Sequence, residues 1–199
     1  MISRPDVSIL PFRGKYPRIH DTAFIAPGCR IIGDVEIGPE ASVWYNCVIR
    51  GDANHIVIGA RTNIQDGSVV HCDSPKPQRP AGFPTIIGED VLIGHLAMVH
   101  GCILEDRAFV GLGAIVMDGC RIASDGMLAA GAMLSPNKVI ESRQLWMGRP
   151  ATFSRELTDA AIADMQRGVQ GYVQNAKLHR TSLAGSDSES GGVHGPPPG

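Results

Sequence analysis

Aromatic residues are scarce in this chain, at 5% of 199 residues, which argues against an ordinary mixed globule with a core of large rings. An excess of one charge is missing too. Lys and Arg number 18 against 20 Asp and Glu, a net charge of −2, and the basic residues are scattered along the chain. That balance removes the electrostatic case for binding nucleic acid or an anionic membrane surface. No apolar run comes near the ~20 residues that a membrane-crossing helix needs. The opening stretch, MISRPDVSILPFRGKYP, lacks the uninterrupted apolar segment of a signal peptide. Cysteines number five, an odd count without a CxxC pair, so reduced thiols and a cytoplasmic setting are the expectation.

Glycine, by contrast, is abundant, at 24 residues, and it falls within a six-residue period. Between Ile25 and Leu134 the blocks read FIAPGC, RIIGDV, EIGPEA, SVWYNC and VIRGDA, later TIIGED, VLIGHL and AMVHGC, then FVGLGA, IVMDGC, RIASDG and MLAAGA. The second position is aliphatic: Ile25, Ile31, Ile37, Val43, Ile49, Ile58, Ile64, Val70, Ile87, Ile93 and Val99. The phase restarts at Leu104 and runs through Val110, Val116, Ile122, Leu128 and Leu134. The sixth position is mostly small or apolar, including Cys29, Cys47, Ala97, Ala114 and Cys120. Two inward side chains per block suit a short strand and a tight corner, with Gly, Asp, Pro and Asn supplying the turns. Three blocks make one triangular turn, and stacked turns pair at ~4.8 Å. The expected fold is an all-β solenoid over residues 24–153.

Residues 1–23 precede the repeat and should lie along or under its first turn. Residues 72–84 break the period, carry four prolines and read as an ejected loop. Residues 154–180 read as a C-terminal helix with Ile162, Met165, Val169, Val173 and Ala176 on its apolar face and a start at Thr158-Asp159. Residues 181–199 are polar and Gly/Pro-rich, and a disordered tail is expected there.

The repeat also places side chains on walls. Ile49, Val70, Val99 and Val116 share one wall, and the residues after them are Arg50, His71, His100 and Met117. His71 and His100 therefore stack one turn apart. Their spacing alone allows a chelated metal, a structural stack or a catalytic base. His95 falls on another wall, above Asp66, and is too far round the prism to join them within one chain. Three-fold packing of prisms would bring its wall against the His71/His100 wall of a neighbour. His20, His55, His179 and His194 read as solvated surface residues. Cys29, Cys47 and Cys120 read as small core residues, and Cys72 and Cys102 as corner thiols close to the histidines.

The stretch VIRGDANHIVIGARTNIQDGSVVH, followed by IIGEDVLIGHLAMVHG, resembles the gamma-class carbonic anhydrases, over roughly residues 15–178. The resemblance implies a left-handed parallel β-helix, a homotrimer, and Zn2+, or Fe2+ or Co2+, held between subunits by His71, His95 and His100. It implies an Arg50–Asp52 pair at the subunit interface, Gln65 beside the metal's water, and Asn63 and Asp66 supporting the ligands. Tyr172, in GYVQNA, resembles a helix residue near the site. The implied reaction is attack on CO2 by a water ionised at the metal, giving bicarbonate. The chain departs from the family pattern at Ala53, where an acidic residue is usual, and in the loop 72–84, which has no Glu and offers only Asp73. Those departures predict modest hydration. Other readings on the same scaffold are a metal-dependent thioesterase or hydrolase, a CoA-dependent acyltransferase, which the three-histidine set disfavours, and a catalytically inactive structural trimer.

Overall fold

Inward aliphatics at a six-residue interval build three ladders in the computed structural model, which describes residues 6–189. On the first wall Ile31, Ile49, Val70, Val99, Val116 and Leu134 stack in parallel register. On the second, Ile37, Ile58, Ile87, Leu104, Ile122 and Ile140 do the same. On the third the column runs Ile25, Val43, Ile64, Ile93, Val110, Leu128 and Trp146. Two walls merge into one 12-stranded sheet, because strands Arg30–Ile37 and Val48–Ile58 bend round a corner unbroken. The third wall is an 8-stranded sheet of its own. The expected solenoid is therefore what forms, and the wall assignment read from the period holds.

Burying each of these side chains is worth about 1.5–3 kcal/mol. Ile49 is fully buried in its ladder, between Ile31 and Val70. Ile49→Ala should lower unfolding stability by about 2–5 kcal/mol in urea titration, because rigid rungs on both sides cannot collapse into the hole. An unchanged midpoint would show that the rungs do relax.

The corner after the second wall is occupied by Glu40, Arg61, Asp90, Arg107, Asp125 and Arg143 in successive turns, all left-handed with φ between 53° and 64°. The turn residues expected here were Gly, Asp, Pro and Asn. Asp holds it in two turns as expected and Glu or Arg in the other four, with ion pairs up the column (Arg61–Asp90, Arg107–Asp125) or to the helix (Glu40–Lys177, Arg143–Asp159) working against a left-handed cost of about 1–2 kcal/mol each. Arg61 grips both carboxylate oxygens of Asp90 at 2.7 and 2.8 Å, and Arg107 those of Asp125 at 2.8 and 3.0 Å.

The N-terminal segment joins the rod directly: strands Ser8–Leu10 and Arg18–Ile19 both pair with Arg30–Ile37. The loop 72–84 leaves the prism as expected and is pinned at its base. Asn54 Nδ2 donates to Asp73 O and Ala81 O, at 3.1 and 2.8 Å. The buried Thr85 hydroxyl donates to His71 O and accepts from Gly101 N, tying the two histidine turns together.

Two C-terminal boundaries differ from expectation. Residues 151–156 form a strand, Ala151–Glu156, that folds back antiparallel on Gln144–Gly148, because the turn at Gly148 reverses the chain before any helix begins. The helix runs Asp159–Glu189, started by Thr158 Oγ1 accepting from Ala161 N at 3.2 Å. It extends past 180 because Leu183 continues the packed stripe against the rod. Of the expected tail, 181–189 is thus helical, and 190–199 lies outside the described residues. Ile162, Met165, Val169 and Ala176 are buried against the third wall, as the spacing required. None of the helices is long and apolar enough to cross a membrane, among the described residues.

Candidate metal centre

His71 ends strand Val69–His71, His100 ends strand Met98–His100, and the two are register partners. Their Nδ1 and Nε2 atoms face each other at 2.9 Å. The outer nitrogen of each ring meets a carboxylate. His71 Nε2 lies 2.9 Å from Asp52 Oδ1, and His100 Nδ1 lies 2.5 Å from Asp118 Oδ1. Asp52 is in turn gripped by Arg50 Nη1 at 2.6 Å within the same chain. Burial pushes the Asp52 carboxyl up, but the hydrogen bonds from His71 and Arg50 outweigh it and hold it below the usual carboxylate range.

The remaining expected residues gather on the third wall. His95 Nδ1 is 2.7 Å from Asp66 Oδ2, and Asp66 Oδ1 also accepts from Tyr45 N at 3.2 Å. His95 Nε2 faces the Tyr172 hydroxyl at 3.4 Å. Burial raises the Tyr172 phenol, so it remains a proton donor at neutral pH. Gln65 Nε2 donates to Asn63 Oδ1 at 3.1 Å, both side chains being buried beside this group. The candidate site is thus split. Arg50, Asp52, His71 and His100 form one half, and Asn63, Gln65, Asp66, His95 and Tyr172 the other. Among the described residues of one chain, no three His, Cys, Asp or Glu side chains close on a point where an ion could be held.

The donor set can be tested on its hydrogen bonds. An ionised carboxylate only accepts, so the N–H of each ring is committed to its Asp. His71 Nδ1 and His100 Nε2 then face each other with two lone pairs, an arrangement that needs a cation or a proton between them. His95 Nε2 keeps its lone pair towards the Tyr172 hydroxyl, 3.4 Å away. Three imidazoles, each backed by a carboxylate, are the donor set that suits zinc or a similar divalent ion at ~2.0–2.1 Å bonds.

Asp118, Thr85 and Trp44 were not singled out by sequence reasoning. Asp118 stands one residue past Met117, the rung above His100, where a sequence signal existed. Trp44 stacks edge-on to Tyr172 at 5.2 Å and so seats the helix residue by His95. His179, expected in solvent, is instead half-buried. Its Nδ1 is 2.8 Å from the Tyr45 hydroxyl, and its ring packs on Trp44 at 5.0 Å. His20 and His55 are exposed as expected, and His194 lies outside the described residues. All five cysteines are buried and free. Burial pushes the Cys72 and Cys102 thiols up, so they stay protonated and make poor metal ligands.

Fold and repeat together define a hexapeptide-repeat β-helix protein, and the family model described as bacterial transferase hexapeptide (six repeats) matches residues 16–51. A hexapeptide transferase family protein from Anaplasma phagocytophilum superposes with a TM-score of 0.80 at 43% identity, covering 85% of this chain and 96% of that one. Carbonic anhydrase from Geobacillus kaustophilus is 41% identical over 86% of this chain and 91% of its own length. Gamma carbonic anhydrase 1, mitochondrial, of Arabidopsis thaliana is 45% identical over 85% of this chain. The chain spans only 62% of that relative's length, and 59% of gamma carbonic anhydrase 2 from the same plant. The chain belongs to the gamma-class carbonic anhydrase family of hexapeptide-repeat proteins.

Proposed function

We propose that this chain hydrates CO2 to bicarbonate at a divalent metal, zinc or alternatively iron or cobalt, shared between subunits of a homotrimer. The observation that carries the reading is the facing pair of ring nitrogens on His71 and His100, 2.9 Å apart, with the other nitrogen of each ring against an Asp. The third ligand is His95 from a neighbouring copy. Exposed apolar side chains around the histidines support a covering subunit: Leu96 directly after His95, Met98 two residues before His100, and Leu112 one turn on from His95. A metal supplies Lewis acidity that brings water within reach of ionisation near neutral pH.

The chain's own groups orient the rest. Asp52, Asp66 and Asp118 fix the ligand rings. The Gln65 amide, held by Asn63, would hydrogen-bond the attacking water, and the Tyr172 hydroxyl stands against His95. Arg50 and Asp52 brace the subunit contact. Proton export is the weak step. Asp73, the one carboxylate of the loop, is taken by Lys76 at 2.6 Å and approached by Arg79 at 3.7 Å, which hold it below the usual range. Hydration should therefore be slow. The five buried free thiols support a reducing, cytoplasmic setting.

The test is metal content and stopped-flow CO2 hydration on one anaerobically purified sample, loaded once with zinc and once with iron. Stoichiometric metal with measurable hydration is expected. Metal without hydration would move the assignment to a thioester or other hydrolysis substrate, or to a trimer that keeps its ion for structure.

A further inference from the structure

The Asp118 carboxylate is unusual in where it comes from. Asp52 and Asp66 lie in the RGD and NIQDG stretches that carry the family resemblance, but Asp118 sits in a later block, IVMDGC, one turn above His100. It reaches back down the rod to His100 Nδ1 at 2.5 Å, the shortest of the three imidazole–carboxylate contacts.

The backbone keeps this place open. Gly101, directly after His100, has φ +54°, and a Cβ added there would lie 2.2 Å from Asp118 Oδ1 and 2.8 Å from Phe83 Cβ. Phe83 closes the other side, since a Cβ on Gly119 would meet its ring carbons at 3.0 Å. The Arg79 guanidinium covers that ring at 3.7 Å from its centre. Gly101, Gly119 and the returning loop therefore form a fitted seat beside the Asp118 carboxylate.

We infer that Asp118 is the positioning residue for His100. It holds the Nδ1–H tautomer and turns Nε2 towards His71 Nδ1, so that the pair meets as two lone pairs instead of as an ordinary N–H···N hydrogen bond. Without Asp118 either tautomer of His100 is available. The ring can then donate Nε2–H to His71 Nδ1 and satisfy both nitrogens with no ion present. Asp118 thus disfavours the metal-free pair as much as it supports the loaded one. The inference rests on the metal reading given above, and its test separates the two.

The full-length protein is compared with Asp118→Ala and Asp118→Asn. The first measurement is the 15N spectrum of the imidazoles in metal-free protein, with the His100 signal assigned by its loss in His100→Gln. Wild type should show Nδ1 protonated and Nε2 bare. Asp118→Ala should show the Nε2–H form or a mixture, and Asp118→Asn, which keeps a weaker acceptor, an intermediate. The second measurement is zinc affinity by competition with a chelator. A loss of about 10–100-fold is expected for Asp118→Ala and a smaller loss for Asp118→Asn. An unchanged tautomer in Asp118→Ala, or zinc affinity within twofold of wild type, would overturn the role given to Asp118. Wild type with the expected tautomer but no zinc binding would instead sink the metal reading and leave the tautomer assignment standing.

Discussion

Two metal-free variants, His71→Ala and His95→Ala, should recover metal when they are assembled into one trimer. In each chain His71 and His100 stand on one wall and His95 on another. Every interface of a His71→Ala homotrimer lacks one ligand, and so does every interface of a His95→Ala homotrimer. A cyclic trimer containing both variants has one interface where an intact His71/His100 pair meets an intact His95. Doubly tagged heterotrimers should therefore hold about one ion per three chains, against none in either parent. Circular dichroism should show all three species equally folded, since neither histidine belongs to the core ladders. Parents that keep full metal would remove the mutated residue from the ligand set. Heterotrimers as empty as their parents would show that the halves do not meet across an interface.

The second large effect concerns the rod itself. Gly59 sits where successive turns pass close together, and a Cβ there would lie 2.4 Å from the Gly88 carbonyl carbon and oxygen and 2.7 Å from Glu89 N. These are backbone atoms on the next rung, so no side chain can swing aside. The rungs would have to part, losing the Gly59 N to Ile87 O hydrogen bond of 2.8 Å. Gly59→Ala should cost about 3 kcal/mol or more, seen as a large fall in thermal midpoint. Gly171, in the helix with nothing within 4 Å of an added Cβ, should respond oppositely. There the same replacement should stabilise by about 0.5–1 kcal/mol. Equal effects at both sites would mean that backbone crowding does not control the rung spacing.

How much of this was legible in the sequence depends on periodicity. The inward aliphatics recur every six residues, so counting blocks in threes recovers the walls, and the walls recover the His71/His100 stack and the His95/Asp66 stack. Asp118 escaped because it lies outside the two inward positions that the count tracks and acts on the turn beneath it. His179 escaped although its spacing was visible. It lies three residues past Ala176 and four before Leu183, on the helix face turned to the rod, but a polar residue on that stripe reads as a boundary until Tyr45 is seen to receive it. The strand at 151–156 was hidden because its partner, Gln144–Gly148, is a local neighbour outside the hexapeptide phase.

The alternating corner of Glu40, Arg61, Asp90, Arg107, Asp125 and Arg143 bears on how such a rod folds without error. Near-identical rungs invite a misassembled chain in which one turn is looped out and its two neighbours zip together. Hydrophobic columns would hardly notice, because an isoleucine stacks on an isoleucine either way. The charges would notice at once: omitting any single turn sets acid on acid or base on base, and both guanidinium clamps cannot survive. Only the loss of two turns restores the sequence of signs, and that leaves far more chain unpaired. A corner of alternating sign would therefore penalise a skipped turn, which the uniform aliphatic columns cannot do.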